Sequence, residues 1–450
     1  MKLTWLNAYK IEHEVAKIIT QQEIDGIYFD LQQAYRHVNF LREEQARLYN
    51  EIRPHLHVKV SPGLEPKQIF KKDGELTKGI CDYFNINPNS NLIGGPFQKV
   101  VFEEPNINST VQLKEQLDKL GWEPDTYNFK FENGKKIQTS PKLTESSYSS
   151  LNVGIGPLLR QYLIYSKRES AINGLIAQVR YDGTISAGAD SVGTPTARMR
   201  HRGVVNLPSV GAVFGEEVRS LFIPRPWDRV LVGYDAAGLE ARVMGHWLND
   251  PELIDLLINP EKDFHTFVWE IVGEDFISSR KIAKNVEYAF IYGAMDKKLG
   301  ETADRGSRDS KAGKEIRKRI SQGIPALGEL VDKVQAAASR GWLVGIDGRK
   351  LYVRKPHAAL NLLFQSTGAL IMKKAMLLTH NDYGHHYVEN REAIKVLDMH
   401  DEALYDCNSQ IGELFGKLGV QGIIDAGKHY NLNCPLDGEY KVGKNYAEVH

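Results

Sequence analysis

The stretch RKIAKNVEYAFIYG, residues 280–293, constrains this chain most, because Arg280, Lys284, Tyr288 and Tyr292 fall four apart and Gly293 follows. On an α-helix each step of four advances about 6 Å along the axis and turns about 40° around it, so the four side chains form one slowly turning row roughly 18 Å long. Two cations come first, then two rings. Ile282, Val286, Ala289 and Phe290 project from the other side, which gives the helix an apolar face to bury while the row stays available. A row that offers charge to phosphates and then flat surfaces to bases is what binding a nucleoside triphosphate requires. An isolated stripe of this kind is more often a solvated amphipathic face, so the rest of the chain has to decide.

At 450 residues, 42% apolar and 25% charged, the chain can bury two or three cores. No run approaches 18 apolar residues, and Glu12 and Glu14 interrupt the N-terminus before a signal sequence could form, so an intracellular, cytoplasmic protein without a membrane partner is expected. Cys81, Cys407 and Cys434 are too scattered for a disulfide frame or a zinc site. Lys plus Arg balances Asp plus Glu at 57 each, which argues against a simple nucleic-acid coat protein. Residues 280–319, however, carry twelve Lys/Arg against six Asp/Glu, an excess that could follow a phosphate backbone.

Periodicity predicts a helix over 31–52 capped by Asp30, with Leu31, Ala34, Val38, Leu41, Leu48 and Ile52 on one side. From Pro54 to Pro105 prolines punctuate short segments, which reads as an insertion between helices. A helix over 111–120 follows, with Thr110 as cap and Gly121 as its stop. FENGKK, at 131–136, suggests a hairpin turn before a further helix near 156–178. VLVGYDA at 230–236 reads as a buried strand delivering Asp235 at its end. AIKVLDMHDEALYDC reads as a hairpin with strands 394–399 and 403–407 and with His400, Asp401 and Glu402 at the turn. Between these strands lies a helix-rich block, about 248–378, that contains the 280 helix.

Two strand-borne aspartates flanking in sequence a helix suited to polyphosphate suggest a metal site. Carboxylate oxygens suit hard cations, and magnesium is usually held by one or two carboxylates plus substrate phosphates. Each aspartate alone could equally be a cap or a turn residue.

GYDAAGLEARVMGHW (233–247), RKIAKNVEYAFIYGA (280–294) and MHDEALYDC (399–407) resemble motifs A, B and C of the family A DNA polymerases, in that order. TPTARMRHRGVVNLP, DGRKLYVRKPHAALNLLFQSTGAL and LDGEYKVGKNYAEVH further resemble the replicative polymerases of T-seven-like bacteriophages. The resemblance implies an α+β right-hand fold: a helical thumb over 1–180 with an inserted subdomain at about 54–105, palm over 181–247 and 361–450 built on an antiparallel sheet, and helical fingers over 248–360. It implies extension of a DNA primer with dNTPs on a DNA template. Asp235, Asp401 and the backbone carbonyl of Ala236 would bind two Mg²⁺ ions, with Mn²⁺ as a possible substitute, and Glu402 would support them. Arg280, Lys284 and His265 would hold the triphosphate, with Lys284 as proton donor to pyrophosphate. Glu240 and Tyr288 would close over the sugar and exclude a 2′-hydroxyl, and the Tyr288 hydroxyl suggests acceptance of dideoxynucleotides. Tyr292, beside Gly293, would stack at the templating position, and Arg198, Asn361, Gln365 and His400 would touch primer and template, the first three at minor-groove acceptors.

Three departures bear on that expectation. Ala197 stands where T-G-R is usual, which puts a tight turn there in question. Asp398 adds a carboxylate where the family prefers apolar residues, and strand alternation puts it on the face opposite Met399. No exonuclease motif precedes the thumb-like start, so no proofreading is expected of this polypeptide; either a separate exonuclease subunit supplies it or the sequence is a piece of a longer protein. The insertion sits where the phage enzymes carry a loop for a processivity factor, thioredoxin, but it is shorter and matches poorly, so a clasp over DNA and a merely structural elaboration are equal readings of it. A single-subunit RNA polymerase, or a non-catalytic polymerase-like DNA-binding subunit, is the alternative reading.

Overall fold

The run RVLVGYDA forms an eight-residue strand, Arg229–Ala236, whose middle residues are buried while Asp235 is exposed at its end. It lies inside a four-stranded antiparallel sheet whose order is Ala393–Met399, Glu402–Asn408, Arg229–Ala236, Gly438–Gly443. Val, Leu and Tyr suit a pleated, packed surface, and here the packing is supplied by the helix Gly412–His429. That helix carries Gly412, Gly416 and Gly419 along one side. A Cβ at Gly419 would fall 2.3 Å from the Tyr234 ring, and one at Gly416 would fall 2.2 Å from Tyr440, so the sheet's aromatic side chains require glycine there.

The computed structural model describes residues 5–63, 65–93, 97–124, 126–132, 135–151, 154–259, 261–303, 310–399 and 401–450. The chain divides into two compact units, one of residues 1–36 and 172–450, the other of residues 37–171. The larger unit holds the sheet and a continuous apolar core that runs from Val232 and Tyr234 through Val243, Val268, Val286 and Phe290 to Leu370 and Ile423. Most of that core is contributed by the helices between the sheet's first and second sequence segments.

The smaller unit has its own core of Leu48, Ile52, Leu113, Leu117, Leu159 and Tyr162. The helix Leu31–Ile52 starts where Asp30 accepts a hydrogen bond from the Gln33 amide at 2.8 Å. The next expected helix runs Thr110–Lys119 and is preceded by Ser109, so Thr110 lies inside it and does not cap it; Gly121 follows at φ 79°. The last runs Gly156–Ile176, two residues shorter than its period suggests. Within the insertion, Lys59–Pro62 pairs with Val100–Glu103 as an antiparallel ribbon. Tyr127–Glu132 pairs with Lys135–Pro141, and the Asn133–Gly134 turn expected between them lies outside the described residues.

Candidate active site

Strand register brings the carboxylates together. Asp235 faces Glu402 on one side and Glu439 on the other, so three acids share one face of the sheet. Asp401 is exposed in the turn just before Glu402, and its carbonyl accepts from the Ala236 amide at 3.3 Å. Partial burial, and then the charges of Glu402, Asp401 and Glu439, hold the Asp235 carboxyl above its ordinary value. A carboxylate crowded by like charges is the condition that a bound cation relieves, so the donor set fits a hard divalent ion. Among the described residues no three His, Cys, Asp or Glu converge to hold a metal by themselves. An ion completed by substrate phosphates needs no such cage.

Glu402 differs from its neighbours in being buried and engaged. Its Oε2 accepts from the Tyr446 hydroxyl at 3.0 Å, and His450 Nδ1 lies 2.9 Å from the same oxygen. The two rings therefore fix the carboxylate against the sheet, which leaves Asp235, Asp401 and Glu439 as the exposed acids.

The helix Arg280–Ile291 begins where Ser279 Oγ accepts from the Ile282 amide at 3.4 Å. Val286 and Phe290 are buried as the period demands, whereas Ile282 and Ala289 are only partly so. Glu287 is buried as well, 7% exposed, because its Oε2 lies 2.6 Å from His265 Nδ1 on the neighbouring helix Phe264–Val272. Burial raises the Glu287 carboxyl, and His265 opposes that rise. Arg280 is clamped by Asp263, which takes its Nη2 at 2.8 Å and also its Nε. The guanidinium holds the Asp263 carboxyl well below the usual carboxylate range. Lys284 is exposed, with its ammonium 5.9 Å from the centre of the Tyr288 ring. Tyr288 and Tyr292 follow at 5.9 Å centroid separation, and the Tyr292 hydroxyl donates to Glu240 Oε1 at 2.8 Å.

Tyr292 closes the helix and Gly293 turns the chain at φ 73°. A Cβ on Gly293 would stand 1.9 Å from the His357 carbonyl oxygen, so glycine is required by close approach as well as by dihedral angle. Asn361 and Gln365 lie one turn apart on the helix Ala359–Leu377; Asn361 Oδ1 is buried without a hydrogen-bond partner among the described residues. His400, expected beside them, lies outside the described residues.

A cavity of about 270 Å³ is lined by His265, Arg280, Tyr288, Tyr292, Glu240 and Gln365. A second, of about 230 Å³, reaches Asp401. Both are bounded by Arg198, Leu239, Glu240 and Gly368, so the cation-and-ring row and the acidic turn open on adjoining space.

A family model for DNA polymerase family A matches residues 94–448. The chain belongs to DNA polymerase family A. The DNA-directed DNA polymerase of Escherichia phage Phieco32 is 30% identical over 383 residues, spanning 66% of this chain and 60% of that protein. The corresponding protein of Escherichia phage T7 is 26% identical over 518 residues, spanning 99% of this chain and 70% of that protein. The POL domain of Pol1 from M. smegmatis, solved as a complex with DNA primer-template and dNTP, superposes with a TM-score of 0.70 at 18% identity, covering 97% of this chain and 70% of that one. The expected α+β polymerase fold is thus the observed one. No helix among the described residues is long and apolar enough to cross a membrane.

In this family A chain, sequence reasoning missed Asp263, Glu287, Glu439, Tyr446 and His450. Asp263 had a local signal, since an aspartate before the apolar run FHTFVWEIV is an N-cap position; its side chain accepts the His265 amide at 3.3 Å. The other four depend on contacts between distant segments. The charge excess of 280–319 is also smaller in space than in sequence, because Arg280 and Arg319 pair with Asp263 and Asp275 from outside that window.

Proposed function

We propose that this chain extends a DNA primer on a DNA template by attack of the primer 3′-hydroxyl on the α-phosphate of a dNTP. The observation that carries the reading is the adjoining of two cavities at Arg198 and Glu240, one bordered by Arg280 and Tyr288, the other by Asp401. Triphosphate bound along the cationic row would place its α-phosphate toward the carboxylates. Asp235, Asp401 and the Ala236 carbonyl would hold two Mg²⁺ ions, or Mn²⁺, which when bound lower the pKa of the attacking hydroxyl and offset charge on the leaving oxygen.

The remaining roles belong to side chains. Arg280 exchanges Asp263 for phosphate oxygens, His265 is oriented by Glu287, and Lys284 donates a proton to departing pyrophosphate. Glu240 and Tyr288 confine the sugar. Tyr292 stacks at the templating position after releasing Glu240, and Arg198, Asn361 and Gln365 read primer-terminal acceptors. In this reading residues 248–360 are fingers, the sheet is palm, and the helices of the first 180 residues are thumb. The exposed Val60, Val101 and Phe102 on the insertion's ribbon support docking of a processivity partner there.

Primer extension with Asp235→Asn and Asp401→Asn tests the site. Both should lose extension by at least about a thousandfold while retaining duplex binding. Extension within tenfold of wild type by either variant would remove that carboxylate from the chemistry. Comparing dNTPs with rNTPs on a primed template separates this reading from an RNA polymerase.

A further inference from the structure

A quartet of charges, three of them buried and Glu12 partly exposed, lies apart from the carboxylate row. Lys373, on the helix Ala359–Leu377, is 1% exposed, and its ammonium donates at 2.8 Å to both carboxylate oxygens of Glu12, to the Ser191 carbonyl and to the Ala197 carbonyl. Glu12, from the helix Trp5–Asp25, also accepts from Arg349 Nη1 at 2.6 Å, and Arg349 Nε donates to Asp347 Oδ2 at 2.8 Å. Two cations meet two anions. Buried ion pairs of this kind are poor sources of stability, since apolar residues of similar volume usually serve as well, so their placement calls for another account.

That account lies in the segment from Ser191 to Arg198. Ala197 is buried and takes φ 58°, the left-handed region that an L residue enters at a cost. Its amide donates to the Thr194 carbonyl at 3.1 Å, and Thr194 Oγ1 donates to the Arg198 carbonyl at 3.0 Å, so the turn closes on itself. The Lys373 ammonium grips the carbonyl of the peptide that joins Ala197 to Arg198. Arg198 then reaches both cavities, with its guanidinium 3.9 Å from Glu240. Lys373 sits on the same helix as Gln365, about 12 Å further along, so one rigid element carries Gln365 and holds the turn that presents Arg198.

We propose that Lys373 and Glu12 are positioning residues that lock the Ala197–Arg198 turn and thereby aim Arg198 at the primer terminus. The proposal rests on the polymerase reading above. It assigns the N-terminal helix a part in primer recognition through a residue that touches no substrate.

The test is single-turnover extension by the full chain on primers ending in a matched or a mismatched pair. The variants are Glu12→Gln, the charge-neutral pair Glu12→Gln/Lys373→Met, Arg198→Ala, and each of the first two combined with Arg198→Ala. Circular dichroism melting reports folding, and the charge-neutral pair guards against simple collapse of Glu12→Gln. The expected result is a loss of about tenfold in kcat/KM on matched primers, the worth of one charge-assisted hydrogen bond, with reduced preference for matched over mismatched ends. In the Arg198→Ala background the same changes should cost no more than about twofold, because the residue they aim is gone. Folded variants that keep the wild-type preference, losses that multiply with Arg198→Ala, or a charge-neutral pair that does not fold would each overturn the proposal. A wild-type chain that extends no primer overturns the polymerase reading, and this inference with it.

Discussion

Replacing Asp398 tests how the back of the sheet supports the acidic row. A β-bulge between Lys395 and Leu397 puts Lys395 and Asp398, three residues apart, on one face, where ideal alternation would separate them. Both side chains are buried, 1% and 5% exposed, and the ammonium stands 3.7 Å from Asp398 Oδ1. That is too long for a hydrogen bond. The ammonium instead donates to the Leu397 carbonyl at 3.5 Å, and Asp398 Oδ2 has no hydrogen-bond partner among the described residues. A buried pair recovers its desolvation cost only when geometry and hydrogen bonding are good, and here both are poor. Asp398→Leu alone strands the ammonium and should cost about 3–5 kcal/mol, whereas Asp398→Leu/Lys395→Met should stabilise by about 1–4 kcal/mol.

The pH dependence carries its own sign. Burial pushes the Asp398 carboxyl up to about 6, with Lys395 opposing. The folded state then binds this proton more tightly than the unfolded chain, so the group's contribution falls as pH rises from about 4 through 6, by at most roughly 3 kcal/mol. Thermal melting of wild type and the two variants between pH 4 and 7, with hydrogen exchange of the Ala393–Asn408 hairpin to assign the transition, measures both effects. The reasoning fails if the double variant melts as far below wild type as Asp398→Leu does, or if the difference between wild type and double variant does not change across that window.

Glu240→Ala should raise ribonucleotide incorporation and free the Tyr292 hydroxyl; unchanged discrimination in a competition of rNTP with dNTP would place the sugar gate elsewhere. Tyr288→Phe should weaken chain termination by dideoxynucleotides about tenfold, one hydrogen bond's worth, read from termination ladders. Gly293→Ala meets both the His357 carbonyl and a positive φ, and should destabilise by at least about 1–2 kcal/mol with loss of extension; a wild-type melting curve would contradict the close approach. Ala197→Gly relieves the left-handed residue but loosens the unfolded chain, for a net gain of about 0–1 kcal/mol by melting; a clear loss would mean that the buried Ala197 methyl outweighs the strain.

How much of this was legible in the sequence depends on the range of the interaction. The helix Leu31–Ile52 has the bounds its period and Asp30 predict, and the strands at 229–236, 393–399 and 402–408 lie within a residue of their expected places. In each case the signal is local: a dihedral repeat, a cap, a β-branched run ending in a turn. Ala197 shows the limit of such signals. A turn that favours glycine forms there without one, because Lys373, 176 residues away, binds its carbonyl.

The site divides along the same line. The spacing of Arg280, Lys284, Tyr288 and Tyr292 already says that they share a side of a helix, but nothing in it says that Glu287 turns inward to meet His265 or that Asp263 closes on Arg280. For the acids, alternation tells only which face each residue occupies, not which residue it meets. Asp235 finds Glu402 and Glu439 through register, and slipping either neighbouring strand by one residue would send that acid to the helix-packed face among Tyr234 and Tyr405. What prevents the slip is distributed: the turn at Asp401, the glycines that admit Tyr234 and Tyr440, and the C-terminal Tyr446 and His450 that hold Glu402. The geometry of the acidic row is therefore written in residues that never approach a nucleotide, and substitutions among them should perturb extension by moving Glu402 and Asp401 relative to Asp235.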